Sequence, residues 1–476
     1  MARHTLTIAV YQESTGWELS DEHVAAIRRA AESSGAEVAV TAVSTTAQLI
    51  AVLPQTTMLV GLPLTGSQFR THGGAVRFVQ LTESLGDSAS ALVERLDERD
   101  ASGGGGGLRV CTAASIRAPF IAEHALGLTL STLRLLAGAV RAQSEHYWSA
   151  AELAPLIRPL RGMTVGVVSM DATGDEIACR LRPFGVNVIQ TLAAGQGPRE
   201  TLDHEACGTF AAPGSTEYVA FEEAASILPR SNVLILAAPT IPRTVGLFSK
   251  RDLERLPDDA VIVDVTRGGV IESNVLLQAL RPRHGRLGQS GAQFTAQRTD
   301  ISGNMFASRA PNTFRSDRGE TSAKPPRASK GVRSSRVSRA SMRLLNAFRA
   351  KDAQARNPYA YRGGEDARFA ALDGFETKPL PAASPFWTMP NVAVTPGVAS
   401  AGRGYWEHAV TVLGENVRAY LEQHPDAPDA SDAPDASDAP DEGGAGDATG
   451  GGPREVAPLR DELTAEWWHG PRETTD

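Results

Sequence analysis

Residues 160–185 read LRGMTVGVVSMDATGDEIACRLRPFG and carry the clearest indication of the fold in this chain. A short apolar run, VGVV, leads into a turn and then into a segment of helical character, the order that opens a dinucleotide-binding βαβ unit. The G-x-G-x-x-G fingerprint of that turn places glycine at three positions, which here hold Ser169, Asp171 and Gly174. Only Gly174, the glycine that lets the helix pack closely on the strand, is retained. We therefore predict that the fold persists while the phosphate-binding turn is altered.

Asp171 has two interpretations. Beside a pyrophosphate, its carboxylate would repel the ligand, because two like charges about 4 Å apart at an effective dielectric constant near 20 repel by about 4 kcal/mol. That energy corresponds to roughly a thousandfold in affinity. As an N-cap of the helix beginning near Thr173, Asp171 would occupy the position that a phosphate uses. The acidic residue expected at the end of the second strand, which holds the adenosine ribose, corresponds to Leu192.

The composition is typical of a globular chain. The 476 residues are 42% hydrophobic and 21% charged, with a formal net charge of -8, and the length is enough for about two or three domains. Three widely spaced cysteines, Cys111, Cys179 and Cys207, predict thiols in a reducing compartment and no metal site. No signal peptide or transmembrane segment is recognised in the sequence, so we expect a cytoplasmic protein that does not contact membranes.

Strand-like and helical segments alternate along most of the chain. They alternate from residue 5 to 82 and again from residue 163, where the apolar runs are nearly continuous. Such runs are typical of parallel strands covered on both faces. We predict an α/β protein with a doubly wound parallel-sheet, Rossmann-like nucleotide domain and a smaller α/β domain. A run of five glycines at 103–107 marks a loop near their boundary.

Residues 288–367 differ from the rest of the chain. They are rich in Ser and Arg and predict a disordered basic insertion within the nucleotide domain. Basic side chains recur every three residues between 327 and 339, and this period is typical of one face of an extended chain. The insertion is a candidate contact for nucleic acid or another polyanion.

The chain after residue 423 is an acidic, low-complexity tail, and its composition predicts disorder over 424–476. Two interpretations stay open: the tail shields the basic insertion, or the two segments are unrelated. Leu463, Trp467 and Trp468 form an amphipathic turn that docks on this protein or another, or they belong to an unstructured end.

Six segments in fixed order carry a family resemblance. They are AEHAL at 122–126, LRGMTVG at 160–166, AAPTIPRTVGL at 237–247, VDVTRGGVI at 263–271, ALDGFE at 371–376 and PNVAVTP at 390–396. Over roughly 50–287 and 368–423 the chain resembles the D-isomer-specific 2-hydroxyacid dehydrogenase family.

The resemblance implies a particular organisation. It predicts a split, flavodoxin-like substrate domain of residues 1–108 and 398–423 around a nucleotide domain of residues 109–397. It also implies NAD or NADP as cofactor, a small-molecule ligand in the cleft between the domains, and a homodimer.

The same resemblance assigns candidate site residues. Arg267 matches the arginine that binds the substrate carboxylate, with a local hydrogen bond to its loop as the alternative. Asp373 matches the aspartate that meets the nicotinamide carboxamide, with a strand-end cap as the alternative. Thr266 joins Ser169, Asp171 and Gly174 among the cofactor-binding candidates.

The family's acid/base pair is absent from its expected places. Its Glu aligns with Lys378 and its His aligns with Gly397. Without a positioned proton donor, hydride transfer to a ketone loses about 10²- to 10⁴-fold. Lys378 serves as a substitute donor if its pKa is lowered, or it is a solvated loop charge. Glu376 is expected to point elsewhere, and His408 to be a helix surface residue.

The loop that cradles the substrate carboxylate in the family is also changed, since Glu83 and Leu85 replace glycines. We therefore predict a relative of the 2-hydroxyacid dehydrogenases whose ordinary hydride transfer is lost or strongly impaired, a pseudoenzyme that binds a ligand or partner. Two alternatives stay open. The first is an active NAD(P)-dependent 2-oxoacid or ketone reductase with a non-standard proton donor, and the second is a scaffold that binds polyanions through its basic insertion.

Overall fold

The computed structural model describes residues 4–82, 89–101, 107–193, 216–281, 368–426, 459, 461–463 and 468. All of them belong to one compact unit. The predicted basic insertion with its 327–339 repeat lies outside the described residues. So do most of the glycine run and the acidic tail, and also Glu83, Leu85 and Trp467.

Fifteen strands form in the described ranges. They are β1 His4–Ile8, β2 Tyr11–Gln12, β3 Trp17–Glu18, β4 Val38–Ala42, β5 Met58–Val60, β6 Phe78–Gln80, β7 Arg109–Cys111, β8 Thr164–Val168, β9 Asn187–Leu192, β10 Thr216–Ala220, β11 Val233–Leu236, β12 Val261–Asp264, β13 Phe369–Leu372, β14 Val392–Val394 and β15 Glu462–Leu463.

Eleven α-helices accompany them. They are α1 Asp21–Glu32, α2 Thr46–Val52, α3 Gly66–His72, α4 Ala89–Ala101, α5 Ala114–Leu133, α6 Leu136–Ser144, α7 Ala150–Leu153, α8 Ala172–Leu181, α9 Lys250–Leu253, α10 Ser273–Leu280 and α11 Tyr405–Gln423 within the described ranges. Short 3₁₀ helices lie at Leu53–Gln55, Ala154–Leu156, Arg182–Phe184, Phe221–Ser226, Leu228–Arg230 and Pro385–Trp387.

Two sheets organise the chain, as the alternation of apolar runs predicts. The first has the order β15-β7-β6-β5-β1-β4, and the second has the order β10-β9-β8-β11-β12-β13-β14. Every pair in the second sheet is parallel, and all four residues of β11 and of β12 are buried. Fully buried strands need apolar side chains on both faces, which explains their continuous apolar sequences. The predicted mixed α/β fold with Rossmann-like parallel sheets is confirmed.

Strand β7 connects the two sheets. It follows the expected domain boundary at residue 108, yet it pairs with β6 in the first sheet. Helix α5 starts directly after β7 and packs against α8, β12 and β13 of the second sheet. At the other end, α11 returns to pack on α1 beside the first sheet. The exact domain bounds stay a prediction.

The C-terminal segment docks on this chain as a strand. β15 pairs antiparallel with β7, placing Glu462 opposite Cys111. The Arg109 side chain donates to Glu462 through Nε (2.9 Å), and the two side chains form an ion pair that is nearly buried. Leu463 is buried, and Trp468 packs against the same apolar cluster. Of the two interpretations of this end, docking on this protein is the one that occurs here, by strand pairing and not by an amphipathic turn. The prediction of disorder is therefore wrong for Glu462 and Leu463.

The cysteines differ in state. Cys111 is a buried free thiol, and burial raises the pKa of its sulfhydryl well above the usual value. Cys179 takes part in a disulfide, so the prediction of a thiol is wrong at that position. The cysteine pattern consequently no longer supports a reducing compartment, and a cytoplasmic location stays a prediction.

The described helices differ in length and apolar character. No single one is long and apolar enough to cross a bilayer, and α5 with α6 meet that length and composition only as a pair, across a 66° bend.

Gly174 should be required by packing. A Cβ there would lie 2.7 Å from Cβ of Ser169 and 2.8 Å from Nε2 of Gln190. We expect Gly174→Ala to lower the free energy of unfolding by about 1–3 kcal/mol through overpacking, measured by urea denaturation. Gly127→Ala is the matched control, because a Cβ at that position in α5 meets open space. This control should be stabilising by about 0.5–1 kcal/mol. Equal effects of the two variants would contradict the packing argument.

Candidate functional site

An open cleft lies where parallel strands end. Its empty volume, including the part open to solvent, is about 740 Å³. Residues from three turns line it: Asp171 and Thr173 after β8, Ala237 to Ile241 after β11, and Val265 to Arg267 after β12. The opposite wall comes from the start of α5 and includes Thr112, Arg117 and Ile121. The carboxyl edge of a parallel sheet is where ligands bind in open α/β folds.

The turn after β8 is held by side chains. Asp171 is the N-cap of α8, and its Oδ1 accepts a hydrogen bond from the backbone N–H of Thr173 (2.9 Å). Ser169 is fully buried and exchanges hydrogen bonds with Thr191, whose Oγ1 accepts from the Ser169 N–H (2.9 Å) and donates to its carbonyl (2.7 Å). The capping role of Asp171 is therefore present in the structure.

A second carboxylate occupies the same helix turn. Asp175 is buried, and its Oδ1 accepts a hydrogen bond from Nε2 of Gln190 (2.7 Å). Leu192 is the last residue of β9, the position where an acid would hold a ribose. The Asp171 carboxylate accepts an N–H of the helix terminus and places a negative charge there, and both features disfavour a pyrophosphate at this turn.

The turn after β12 presents Arg267 to the cleft. Thr266 is buried, its N–H and Oγ1 both donate to Oδ1 of Asp264 (2.9 and 2.6 Å), and its Oγ1 accepts from the Gly268 N–H (3.0 Å). Thr266 thus fixes the turn. Arg267 is exposed, and no residue in the described ranges forms a hydrogen bond or ion pair with its guanidinium. Its side chain is available to a ligand.

Asp264 is a buried carboxyl beneath this turn. Burial raises its pKa to about 6, and the charge of Asp373 acts in the same direction. The hydrogen bonds from Thr266 and the positive charge of Lys378 oppose that rise. Ionisation of Asp264 therefore lowers the stability of the folded state, although the positive charge of Lys378 partly compensates.

Asp373 acts as a cap for the loop that follows β14. Its Oδ1 accepts from Oγ1 of Thr395 (2.6 Å) and from the Val398 N–H (3.0 Å), and its Oδ2 accepts from the Ala399 N–H (2.9 Å). Burial alone would raise its pKa, but these hydrogen bonds and one from His124 outweigh burial and hold the pKa well below its usual range. The geometry matches the strand-end cap that the sequence left open.

Lys378 and Gly397 lie together. A Cβ on Gly397 would be 3.8 Å from Nζ of Lys378, so the amine stands beside the position from which the family's histidine would project. The side chain is exposed, and no hydrogen bond to Nζ forms within the described ranges. Partial burial lowers the pKa of the amine, and the charges of Arg267 and Arg117 lower it further, whereas Asp373 and Asp264 raise it.

Glu376 and His408 both form contacts that stabilise the fold. Oε1 of Glu376 accepts from the N–H of Ser273 (3.0 Å) at the start of α10. Nε2 of His408 lies 3.2 Å from the carbonyl oxygen of Ser115, and its ring packs near Phe120. The glutamate therefore points away from Lys378, as expected, while the histidine is partly buried and packed on α5.

Two side chains near the site were not among the candidates predicted from the sequence. Arg117 lines the cleft, and its Nη2 donates to Oγ of Ser400 (3.2 Å). Nε2 of His124 lies 3.1 Å from Oγ1 of Thr395 and 3.4 Å from Oδ1 of Asp373. His124 stands in the family segment AEHAL, which could have indicated it, whereas Arg117 becomes visible only once α5 is placed.

No group of three or more His, Cys, Asp or Glu within the described stretches is arranged to hold a metal ion.

Comparisons with known proteins identify the second sheet's domain. A family model described as D-isomer specific 2-hydroxyacid dehydrogenase, NAD binding domain, matches residues 126–292. The chain is 29% identical over 180 residues to D-3-phosphoglycerate dehydrogenase of Mycobacterium leprae, which covers 38% of this chain and 31% of that protein. It is 30% identical over 193 residues to human glyoxylate reductase/hydroxypyruvate reductase, covering 40% and 54%. The chain thus spans about half or less of these relatives.

Solved structures agree on the fold. A protein from Pyrococcus horikoshii OT3 has a TM-score of 0.53 at 14% identity, covering 88% of this chain and 93% of that one. The apo form of D-mandelate dehydrogenase from Rhodotorula graminis has a TM-score of 0.52 at 14% identity, covering 87% and 93%. The resemblance to the D-isomer-specific 2-hydroxyacid dehydrogenases is confirmed, and with it a domain of the NAD-binding type.

Asp264→Asn tests the buried carboxyl. The variant keeps an oxygen to accept both hydrogen bonds from Thr266 and removes the charge. Because the folded-state pKa is raised from 3.8 to about 6, the wild type loses stability as pH rises through this range, and the variant does not. We expect the unfolding free energy of the variant relative to wild type to rise between about pH 4 and pH 8, by at most about 3 kcal/mol.

Asp373→Asn is the control of opposite sign. The pKa of Asp373 is lowered, so its stabilisation is present above about pH 4 and is lost as pH falls further. This variant should be most destabilising near neutral pH. Parallel pH profiles for the two variants would contradict both assignments.

Proposed function

We propose that this relative of the D-isomer-specific 2-hydroxyacid dehydrogenases binds a small 2-oxo or 2-hydroxy carboxylate in the cleft, and that its ordinary hydride transfer is lost or strongly impaired. The observation that carries the proposal is the exposed guanidinium of Arg267, which faces the cleft without a partner in the described part of the chain. The positions of the family's acid/base pair hold Lys378 and Gly397 beside it.

The charge of the cleft favours an anion. Arg267 and Arg117 both line it, and Lys378 is close enough that both arginines act on its pKa. A planar guanidinium binds a carboxylate through two parallel hydrogen bonds, which gives both affinity and orientation. The relatives are named for glyoxylate, hydroxypyruvate and 3-phosphoglycerate, and a cationic cleft suits small acids of this kind.

Two sets of contacts and one missing side chain argue against the ordinary reaction. The Asp171 carboxylate occupies the helix terminus where a pyrophosphate would bind. Both carboxylate oxygens of Asp373 accept hydrogen bonds from the 395–399 loop, which leaves less capacity for a carboxamide. Gly397 has no side chain to supply a proton. Together these features support a ligand-binding protein of the pseudoenzyme type.

A homodimer is part of the proposal. Large apolar side chains at Leu136, Val140 and Trp148 are 51, 63 and 89% exposed, respectively. They lie on α6 and in the segment after it, and exposed large apolar side chains on one part of a chain favour a protein interface. Binding of polyanions by residues 327–339 stays a separate prediction.

Arg267→Ala tests carboxylate binding. Loss of a charge-assisted contact worth about 1.5–3 kcal/mol should weaken binding of pyruvate and D-lactate by about 10- to 100-fold in calorimetric titration. Arg255→Ala is the matched control, because Arg255 is exposed and does not line the cleft. Equal affinity of the Arg267 variant and wild type would remove the basis of the proposal.

Asp171 variants test the loss of cofactor binding. We expect wild type not to bind NADH or NADPH at millimolar concentration, and Asp171→Gly to gain up to about a thousandfold in affinity by losing the repelling charge. Asp171→Asn keeps a capping oxygen without the charge and separates the two effects. Micromolar binding by wild type would contradict the proposal and favour the active reductase with Lys378 as its proton donor.

A further inference from the structure

We propose that Lys378 captures the carbonyl carbon of a bound 2-oxo acid as a reversible imine. The inference rests on the proposed function, because it requires the cleft to hold a 2-oxo carboxylate near Arg267. It goes beyond that function in assigning a covalent step to the lysine that stands where the family has a glutamate.

The position of the amine is the first support. Lys378 Nζ stands 3.8 Å from where a Cβ on Gly397 would lie. Since Gly397 contributes no side chain, the space beside its Cα is open to the amine. The charges of Arg267 and Arg117, which both line the cleft, act on this amine, so it lies beside the cleft.

The availability of the amine is the second support. Lys378 is exposed, and no hydrogen bond in the described ranges engages its Nζ. The nearby carboxylates are already engaged elsewhere: Asp373 accepts hydrogen bonds from the loop after β14, and Asp264 accepts them from Thr266. The amine is thus free to approach a ligand.

The electrostatic setting is the third support. Partial burial lowers the pKa of Lys378, and Arg267 and Arg117 act in the same direction, while Asp373 and Asp264 oppose them. A lysine beside other cations has a larger neutral fraction, which is the form that attacks carbonyl groups. Arg267 would at the same time hold the ligand's carboxylate, so the neighbouring carbonyl carbon is presented to the amine.

The step is balanced without a further reactant. The lone pair of the neutral amine forms a C–N bond to the carbonyl carbon, and the carbonyl oxygen takes up protons and leaves as water. Nitrogen loses its protons as the C=N bond forms, so one 2-oxo acid and one amine give one imine and one water. No atom changes oxidation level, and hydrolysis reverses the step.

Reductive trapping tests the inference on the full-length protein. The protein is incubated with pyruvate and sodium cyanoborohydride, and intact mass and peptide mapping locate the adduct. We expect one reduced pyruvate adduct per chain, at Lys378. Lys250 is the internal control, because it is an exposed lysine at the start of α9. Labelling of Lys250 as fast as Lys378 would overturn the inference.

Two variants separate this inference from the proposed function. Lys378→Arg should abolish the adduct while D-lactate, which has no carbonyl at C2, still binds in calorimetry. Arg267→Ala should weaken D-lactate binding and reduce adduct formation together. Absence of an adduct in a wild type that binds D-lactate and pyruvate would overturn the imine alone. Absence of all binding would overturn the proposed function and the imine with it.

Discussion

The close crossing of two strand-end turns governs this site. A Cβ on Gly374 would lie 2.0 Å from the carbonyl oxygen of Thr266, and a Cβ on Gly268 would lie 2.3 Å from the carbonyl carbon of Phe375. Only glycine permits such backbone contact, and Gly268 also has a φ of +90°, which other residues rarely adopt. Because the turns after β12 and β13 are pressed together, Arg267 on one and Lys378 beyond the other are held in a shared region.

The charged side chains around this site are unevenly distributed. In a dinucleotide site the helix terminus after the first strand supplies the positive potential, but here Asp171 and Asp175 bring two carboxylates into the first turn of α8. Positive charge is instead concentrated at Arg267, Arg117 and Lys378. Attraction for anions at this site therefore comes from three cationic side chains, and the carboxylates at the helix terminus oppose it there.

The sequence predicted the parts whose signal is local. Buried parallel strands such as β11 and β12 need continuous apolar runs, so the sequence predicts them. Asp171 has the residue type and spacing of an N-cap, so the sequence also predicts its capping role. The pairing of β15 with β7 could not be predicted, because it depends on a strand edge far away in sequence. The two residues of β15 are also too few to show a periodic pattern. The contact between Lys378 and Gly397 likewise spans 19 positions and arises only when β13 and β14 bring their loops together.

The loop at Gly397 connects three residues of the site: Gly397 itself, Asp373 and Lys378. Its φ of +74° is in the left-handed region, which residues with a side chain rarely adopt. The glycine is therefore part of the loop's conformation as well as the loss of a side chain. The same loop, residues 395–399, is fixed by its hydrogen bonds to Asp373, and the Lys378 amine lies against the opening that the glycine leaves. Loop conformation, cap and lysine therefore meet at the same few residues, and the Lys378 amine is the side-chain group that lies beside the space left by Gly397.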